Sequence, residues 1–68
     1  MIAKKWYFTF GFDHPYRKGY VEVYAEDSEA ARTKMIERYG LKWGFQYSES
    51  EFLDQPTKFG LHRVAVIP

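Results

Sequence analysis

Aromatic side chains alternate with smaller or polar ones along the N-terminal part of the chain. Four rings recur at a spacing of two, at Trp6, Phe8, Phe10 and Phe12. Tyr7, Thr9 and Gly11 occupy the positions between them. Because alternate residues of a strand point to opposite faces, this spacing places the four rings on one face of a strand from Lys5 to Phe12. We expect it to be the central strand of a sheet.

A second alternating segment follows after a loop that contains Asp, Pro and Gly. It predicts a strand from Gly19 to Glu26, with small apolar side chains on one face: Val21, Val23 and Ala25. The apolar face belongs in the core beside the rings of the first strand. The opposite face then carries two tyrosines and a carboxylate: Tyr20, Tyr24 and Glu22.

The pattern changes to a helical one after the second strand. Asp27 or Ser28 can cap the helix, which is expected to end near Tyr39 with Gly40 in a left-handed conformation and Leu41 in contact with the helix. One side of the helix is apolar, with Ala31, Met35, Ile36 and Tyr39. Arg32 falls within that apolar side.

Two further strands are predicted in the C-terminal half. Lys42 to Ser48 forms the third, with three rings on one face: Trp43, Phe45 and Tyr47. Ser48 and Glu51 have the spacing of a capping box, which predicts a short helical turn to Asp54 held down by Phe52 or Leu53. Gly60 to Ile67 is rich in β-branched residues and forms the fourth strand.

This order predicts an α+β fold, with residues 1–68 forming a single ββαββ domain. A right-handed crossover gives a four-stranded, mainly antiparallel sheet in the order 2-1-3-4, with one helix packed on one face. The other face has no second layer, and the second and fourth strands form the edges.

Composition narrows the possible functions. The chain of 68 residues has no cysteine, a net charge of +1 and 14 aromatic residues (6 Phe, 6 Tyr and 2 Trp). It therefore lacks disulfides and thiolate metal sites, is not an acidic DNA mimic, and has more rings than one small core needs. No apolar run is long enough for a membrane span and no signal-peptide pattern follows Met1, so we expect a cytoplasmic protein without a membrane partner.

The uncovered face supplies the first candidate site. Tyr7, Tyr20 and Tyr24 would form an aromatic patch facing water, and such patches mark interaction surfaces. The alternative is that these tyrosines are half-exposed cross-strand pairs that only stabilise the sheet.

The first hairpin and the helix supply the other candidate residues. The hairpin tip combines basic and aromatic side chains that could clamp a phosphate or an acidic partner: His14, Tyr16, Arg17 and Lys18. A solvated turn is the structural alternative. Arg32 either extends past the edge of the core, pairs with a carboxylate such as Glu51, or reaches a partner.

Nucleic-acid binding is the alternative function. Residues 18–23 (KGYVEV) partly match an RNA-recognition signature, but Glu22 stands where a base would stack and would repel phosphate. A module of this kind would stack bases on the tyrosine face and contact phosphates through Arg17, Lys18 and Lys42.

Catalysis has little support in the sequence. Neither His14 nor His62 accompanies a nucleophile motif, no metal-ligand spacing is present, and no glycine loop cradles a phosphate. We therefore expect a protein that is not an enzyme, with no catalytic residue, metal or cofactor.

Two segments carry a family resemblance: residues 6–11 (WYFTFG) and 43–52 (WGFQYSESEF). Over residues 4–53 the chain resembles a group of small, mostly uncharacterised proteins encoded by bacteriophages and prophages. The resemblance brings no catalytic residue with it. It implies a phage product in the host cell cytoplasm that binds and modulates a host protein, including components of host defence.

The sequence thus predicts a non-enzymatic protein-binding module with a host bacterial protein as its partner. It also predicts a homodimer, because a core of this size rarely supplies more than ~3–5 kcal/mol without a disulfide or metal. The dimer would form through the apolar edge of the fourth strand or through stacked tyrosine faces.

Overall fold

A computed structural model describes residues 3–11, 14–15, 17–41, 43–53 and 60–68. Its elements are β1 (Lys4–Phe10), β2 (Gly19–Ala25), α1 (Ser28–Tyr39), β3 (Trp43–Ser48), α2 (Glu49–Phe52) and β4 (His62–Ile67). The predicted α+β architecture is confirmed, with a four-stranded sheet and one main helix. The predicted ring at Phe12 lies outside the described residues.

The sheet order is β3-β1-β2-β4, so the predicted order 2-1-3-4 is wrong. β1 is central and pairs antiparallel with β2 and β3, as expected, but β4 pairs parallel with β2. This register sets Ala65 beside Val21 and Ile67 beside Val23, which extends the apolar face of β2 towards the edge. The edges of the sheet are therefore β3 and β4, and β2 lies inside it.

The core lies between the sheet and α1. Its buried members are Phe8, Phe10, Val21, Val23, Ala25, Ala31 and Met35. Trp6 packs at its margin and donates its indole N–H to the carbonyl of Ala25 (3.1 Å). The alternation along β1 thus has the predicted result: its even-numbered side chains face the core, and its odd-numbered side chains lie on the opposite face.

Both ends of α1 follow from local chemistry. The Ala30 N–H donates to Asp27 Oδ1 (2.8 Å), which caps the first turn. Gly40 has a φ of 71°, and its N–H donates to the carbonyl of Ile36 (2.8 Å). The contact predicted for Leu41 does not form, because this side chain is 77% exposed.

A bulge in β3 overturns the prediction that Trp43, Phe45 and Tyr47 share one face. The register shifts between Thr9 and Phe10, so Gly44 is an extra residue and Trp43 pairs with Phe10 on the α1 side. The Trp43 ring packs edge-to-face on Phe8, with centroids 4.9 Å apart. A Cβ at position 44 would lie 3.2 Å from the backbone nitrogen of Gly11, which favours glycine there.

Candidate functional site: an aromatic row on the sheet face opposite α1

The face opposite α1 is not bare, which corrects the prediction of a sheet with one open side. α2 begins with a complete capping box: Ser48 N–H donates to Glu51 Oε1 (2.9 Å) and Glu51 N–H donates to Ser48 Oγ (3.4 Å). This turn carries Phe52 onto the sheet, where it is only 2% exposed. The capping box and the anchoring role of Phe52 were both predicted, but their effect on the face was not.

Five rings form a continuous group on this face, which we call the aromatic row: Phe45, Tyr47, Phe52, Tyr7 and Tyr20. Phe52 stacks on Tyr7, with centroids 4.5 Å apart and an interplanar angle of 13°. Its ring also lies 5.0 Å from that of Tyr20 and 5.4 Å from that of Tyr47. The row runs from β3 at the edge of the sheet across β1 to β2.

Two apolar side chains of this face are exposed to solvent: Phe45, the terminal ring of the aromatic row, and Leu53 beside the row. Phe45 lies at the β3 end, 6.5 Å from the ring of Tyr47, and is 64% exposed. Leu53 follows α2 and is 73% exposed. Beside Leu53 lies a pocket of about 130 Å³, lined by Tyr7, Tyr20, Glu49, Phe52 and Leu53. The surface therefore combines packed rings with exposed apolar groups and a small concavity.

Glu22 is the buried charged group of this face. It lies directly opposite Tyr7 in the β1–β2 pair and is only 9% exposed. Hydrogen bonding with the Glu22 carboxylate contributes to the raised pKa of the Tyr7 hydroxyl and of the Tyr24 hydroxyl. Two donors compensate for part of the cost of removing this carboxylate from water. Glu22 therefore influences the titration of two of the predicted binding tyrosines.

The electrostatic field of the face is negative near Tyr7. Burial, followed by the charges of Glu22 and Glu49 and the hydrogen bond with Glu22, raises the pKa of Tyr7 to about 12. The hydrogen bond with Glu22 is also the main cause that raises the pKa of Tyr24. Lys5 lies 3.9 Å from the Glu49 carboxylate and offsets part of this charge.

A spectrophotometric titration tests this field. Because the folded-state pKa of Tyr7 exceeds the ordinary value of 10, the associated stability is present below pH 10 and is lost as pH rises towards about 12. We expect phenolate absorbance from Tyr7 to appear late, and Glu22→Gln to move it to lower pH. Glu37→Gln, on the exposed side of α1, should leave the titration unchanged. An identical titration for the wild type and Glu22→Gln would contradict the assignment.

The structure separates the hairpin candidates from the tyrosines. The His14 ring stacks on Phe10, with centroids 4.4 Å apart, and Phe10 belongs to the α1 side of the sheet. Arg17 and Lys18 are exposed, and Tyr16 lies outside the described residues. The predicted binding residues therefore do not form one site.

Arg32 also lies away from the aromatic row. Its side chain is exposed, and its guanidinium carbon lies 5.9 Å from the centroid of Trp43, on the α1 side. Because Trp43 packs against the core, this position agrees with the alternative that Arg32 extends past the edge of the core. Among the described residues, Arg32 makes a cation–π contact with Trp43 and not the suggested ion pair with Glu51.

Sequence reasoning did not identify Phe45, Phe52, Leu53, Glu22 or Glu49 as site residues. The signal for Phe52 was present, because a capping box at Ser48 fixes the direction in which α2 leaves β3. Exposure of Phe45 depends on the Gly44 bulge and on β3 being an edge strand, which only the assembled sheet reveals.

Comparisons with protein-family models, curated proteins and solved structures give no match for this chain. In the part of the chain that the structure describes, no helix is long and apolar enough to cross a membrane. Over the same residues, no three His, Asp or Glu side chains are grouped so that they could hold a metal ion.

Proposed function

We propose that the protein is a non-enzymatic protein-binding module whose interface is the sheet face opposite α1. The observation that carries this proposal is a pair of exposed apolar side chains, Phe45 at the end of the packed aromatic row and Leu53 beside it. Aromatic side chains are enriched at the cores of interfaces, and rings held by packing lose little entropy on binding.

The resemblance to phage-encoded proteins supplies the biological context of the proposal. The second resembling segment, residues 43–52, contributes three of the five rings of the aromatic row: Phe45, Tyr47 and Phe52. We therefore take the partner to be a host bacterial protein, including a component of host defence, met in the host cytoplasm.

Nucleic-acid binding is less compatible with this face. Glu22 and Glu49 place two carboxylates beside the ring of Tyr7, where they would repel a phosphate backbone. Lys42, one of the predicted phosphate contacts, lies outside the described residues. Binding of short single-stranded DNA or RNA at low salt, measured by fluorescence anisotropy, would overturn the preference for a protein partner.

A capture experiment with matched variants tests the interface. The immobilised wild type, the double variant Phe45→Ala/Leu53→Ala and the control Leu41→Ala are exposed to the same bacterial lysate. Leu41 is an apolar side chain beyond the end of α1 and is 77% exposed. Leu41→Ala therefore controls for proteins that adhere to any exposed apolar side chain. We expect a protein that the wild type and Leu41→Ala retain and the double variant loses. Equal capture by all three would contradict the proposal.

We also propose a homodimer formed by pairing of β4 edges across a two-fold axis. β4 contributes exposed Val64 and Val66, and none of the side chains at positions 64–68 is charged. β4 is an edge strand of the sheet, and an antiparallel copy could pair with its outer edge. Face-to-face stacking is less suited to the fold, because Phe52 already fills the centre of the opposite face.

Light scattering coupled to gel filtration checks the dimer. We expect a mass of about twice 8.1 kDa at micromolar concentration, and loss of the dimer in Val64→Lys/Val66→Lys. Circular dichroism must show that this variant is folded. A mass of 8.1 kDa for the wild type throughout a dilution series would refute the dimer without affecting the binding face.

A further inference from the structure

We propose that the pocket beside the aromatic row receives a basic side chain, arginine or lysine, from the protein partner. The inference rests on the proposed function, since it assigns the chemistry of one contact within that interface. It identifies the partner surface as one that projects a cation from an apolar patch.

The shape of the pocket fits a single side chain. Its walls are the rings of Tyr7, Tyr20 and Phe52, with Leu53 and Glu49 completing the lining, and its volume is about 130 Å³. The rings are held in place by one another: Tyr7 and Phe52 stack at 4.5 Å, and Tyr20 packs edge-on against both, at 5.9 and 5.0 Å. A concavity of this size is too small for a folded element, but it accommodates the end of a long side chain.

The charge of the pocket selects a cation. Glu49 lies in the lining, and Glu22 lies opposite Tyr7 on the neighbouring strand, so two carboxylates act on Tyr7 and both raise its pKa. Aromatic rings attract cations at their faces, and the attraction adds to that of a nearby carboxylate. The carboxylate of Glu49 would repel an acidic side chain. A neutral apolar side chain would gain no electrostatic attraction from this carboxylate.

The existing partner of Glu49 does not block this role. Lys5 Nζ lies 3.9 Å from Glu49 Oε2, and both side chains are substantially exposed, at 42% and 58%. An ion pair of this length and exposure contributes little to stability. A guanidinium or ammonium group that enters beside the rings can therefore replace Lys5 as the partner of the Glu49 carboxylate, or share that carboxylate with it, at a small cost in stability.

Nuclear magnetic resonance titration with blocked tripeptides tests the inference on the intact protein. The probes are acetyl-Gly-Xaa-Gly-amide peptides with arginine, lysine, leucine or glutamate at Xaa. We expect the arginine and lysine peptides to shift the amide resonances of Tyr7, Tyr20 and Glu49 to Leu53, with weaker binding at higher salt. Equal shifts with the leucine peptide, or no shifts at these amides, would overturn the proposal.

Matched charge variants complete the test. Glu49→Gln keeps the Ser48–Glu51 capping box and should lower the affinity for the arginine peptide by about three- to fivefold. Glu29→Gln removes an exposed carboxylate from the first turn of α1 and should have no effect. If both variants lower the affinity equally, binding responds to net charge alone, and the proposed role of the pocket is refuted.

The outcome separates this inference from the proposed function. If the captured protein is lost by Phe45→Ala/Leu53→Ala but fully retained by Glu49→Gln, the binding face stands and the basic side chain is refuted. If the basic peptides bind in the pocket while the double variant captures the same proteins as the wild type, the pocket stands and the larger interface is refuted.

Discussion

Replacing Phe52 with alanine is expected to lower the free energy of unfolding by about 3–5 kcal/mol, the usual cost of truncating a buried phenylalanine. The side chain is 2% exposed and contacts Tyr7, Tyr20 and Tyr47, so its loss leaves a cavity under α2 and removes three ring contacts. A domain of this size has a total stability of only ~3–5 kcal/mol. Chemical denaturation followed by circular dichroism should therefore show a largely unfolded variant at room temperature.

The neighbouring residue supplies the control for Phe52. Leu53 is 73% exposed, and Leu53→Ala should change the free energy of unfolding by less than about 0.5 kcal/mol. If Phe52→Ala is fully unfolded, Phe52→Leu should still give a measurable unfolding transition. Its free energy of unfolding should lie between those of Phe52→Ala and Leu53→Ala. Wild-type stability in Phe52→Ala would mean that α2 does not pack on the sheet.

Phe8→Ala should have the other large effect on stability, again about 3–5 kcal/mol. Phe8 is fully buried at the middle of β1, between Val21 of β2 and Gln46 of β3. Its ring also supports Trp43 edge-to-face, with centroids 4.9 Å apart. Tryptophan fluorescence should shift to longer wavelength together with the loss of the circular dichroism signal.

The same substitution at an exposed site is the matched control. Phe45→Ala removes an identical side chain that is 64% exposed at the β3 edge, so it should cost about 1 kcal/mol or less. Similar losses from Phe8→Ala and Phe45→Ala would contradict the assignment of core and surface faces. A folded Phe45→Ala variant is also what the capture experiment requires.

The elements with strong local signals were predictable from the sequence. Asp27 and Gly40 bound α1 as expected, and Ser48 and Glu51 form the expected capping box, because these signals depend on neighbouring residues alone. The core face of β1 followed from its period of two. The first β-hairpin and the antiparallel pairing of β1 with β3 were also predicted correctly.

The strand order was not predictable by the same means. The choice between β3 and β2 as the neighbour of β4 depends on how Ala65 and Ile67 meet the apolar face of β2, which is a contact between segments distant in sequence. The Gly44 bulge likewise follows from pairing with β1, and one extra residue reverses the face of Trp43.

The candidate site was predicted in part. Tyr7 and Tyr20 were assigned to an interaction face, and both belong to the aromatic row. The prediction of an open face failed because Phe52 folds back onto these tyrosines, and Phe45 and Leu53 are among the exposed apolar groups at its margins. Tyr24 is not one of the five rings of the aromatic row, and hydrogen bonding with Glu22 is the main cause that raises its pKa.

Site-specific photo-crosslinking tests the central claim, that the face opposite α1 is a protein-binding interface, most directly. The photoreactive analogue p-benzoyl-phenylalanine is placed at position 45 or, as the control, at position 41, both of them highly exposed apolar sites. Irradiation in bacterial cells should join position 45 to a specific second protein, and position 41 should give no such product. The same products from both positions, or none from position 45, would contradict the account.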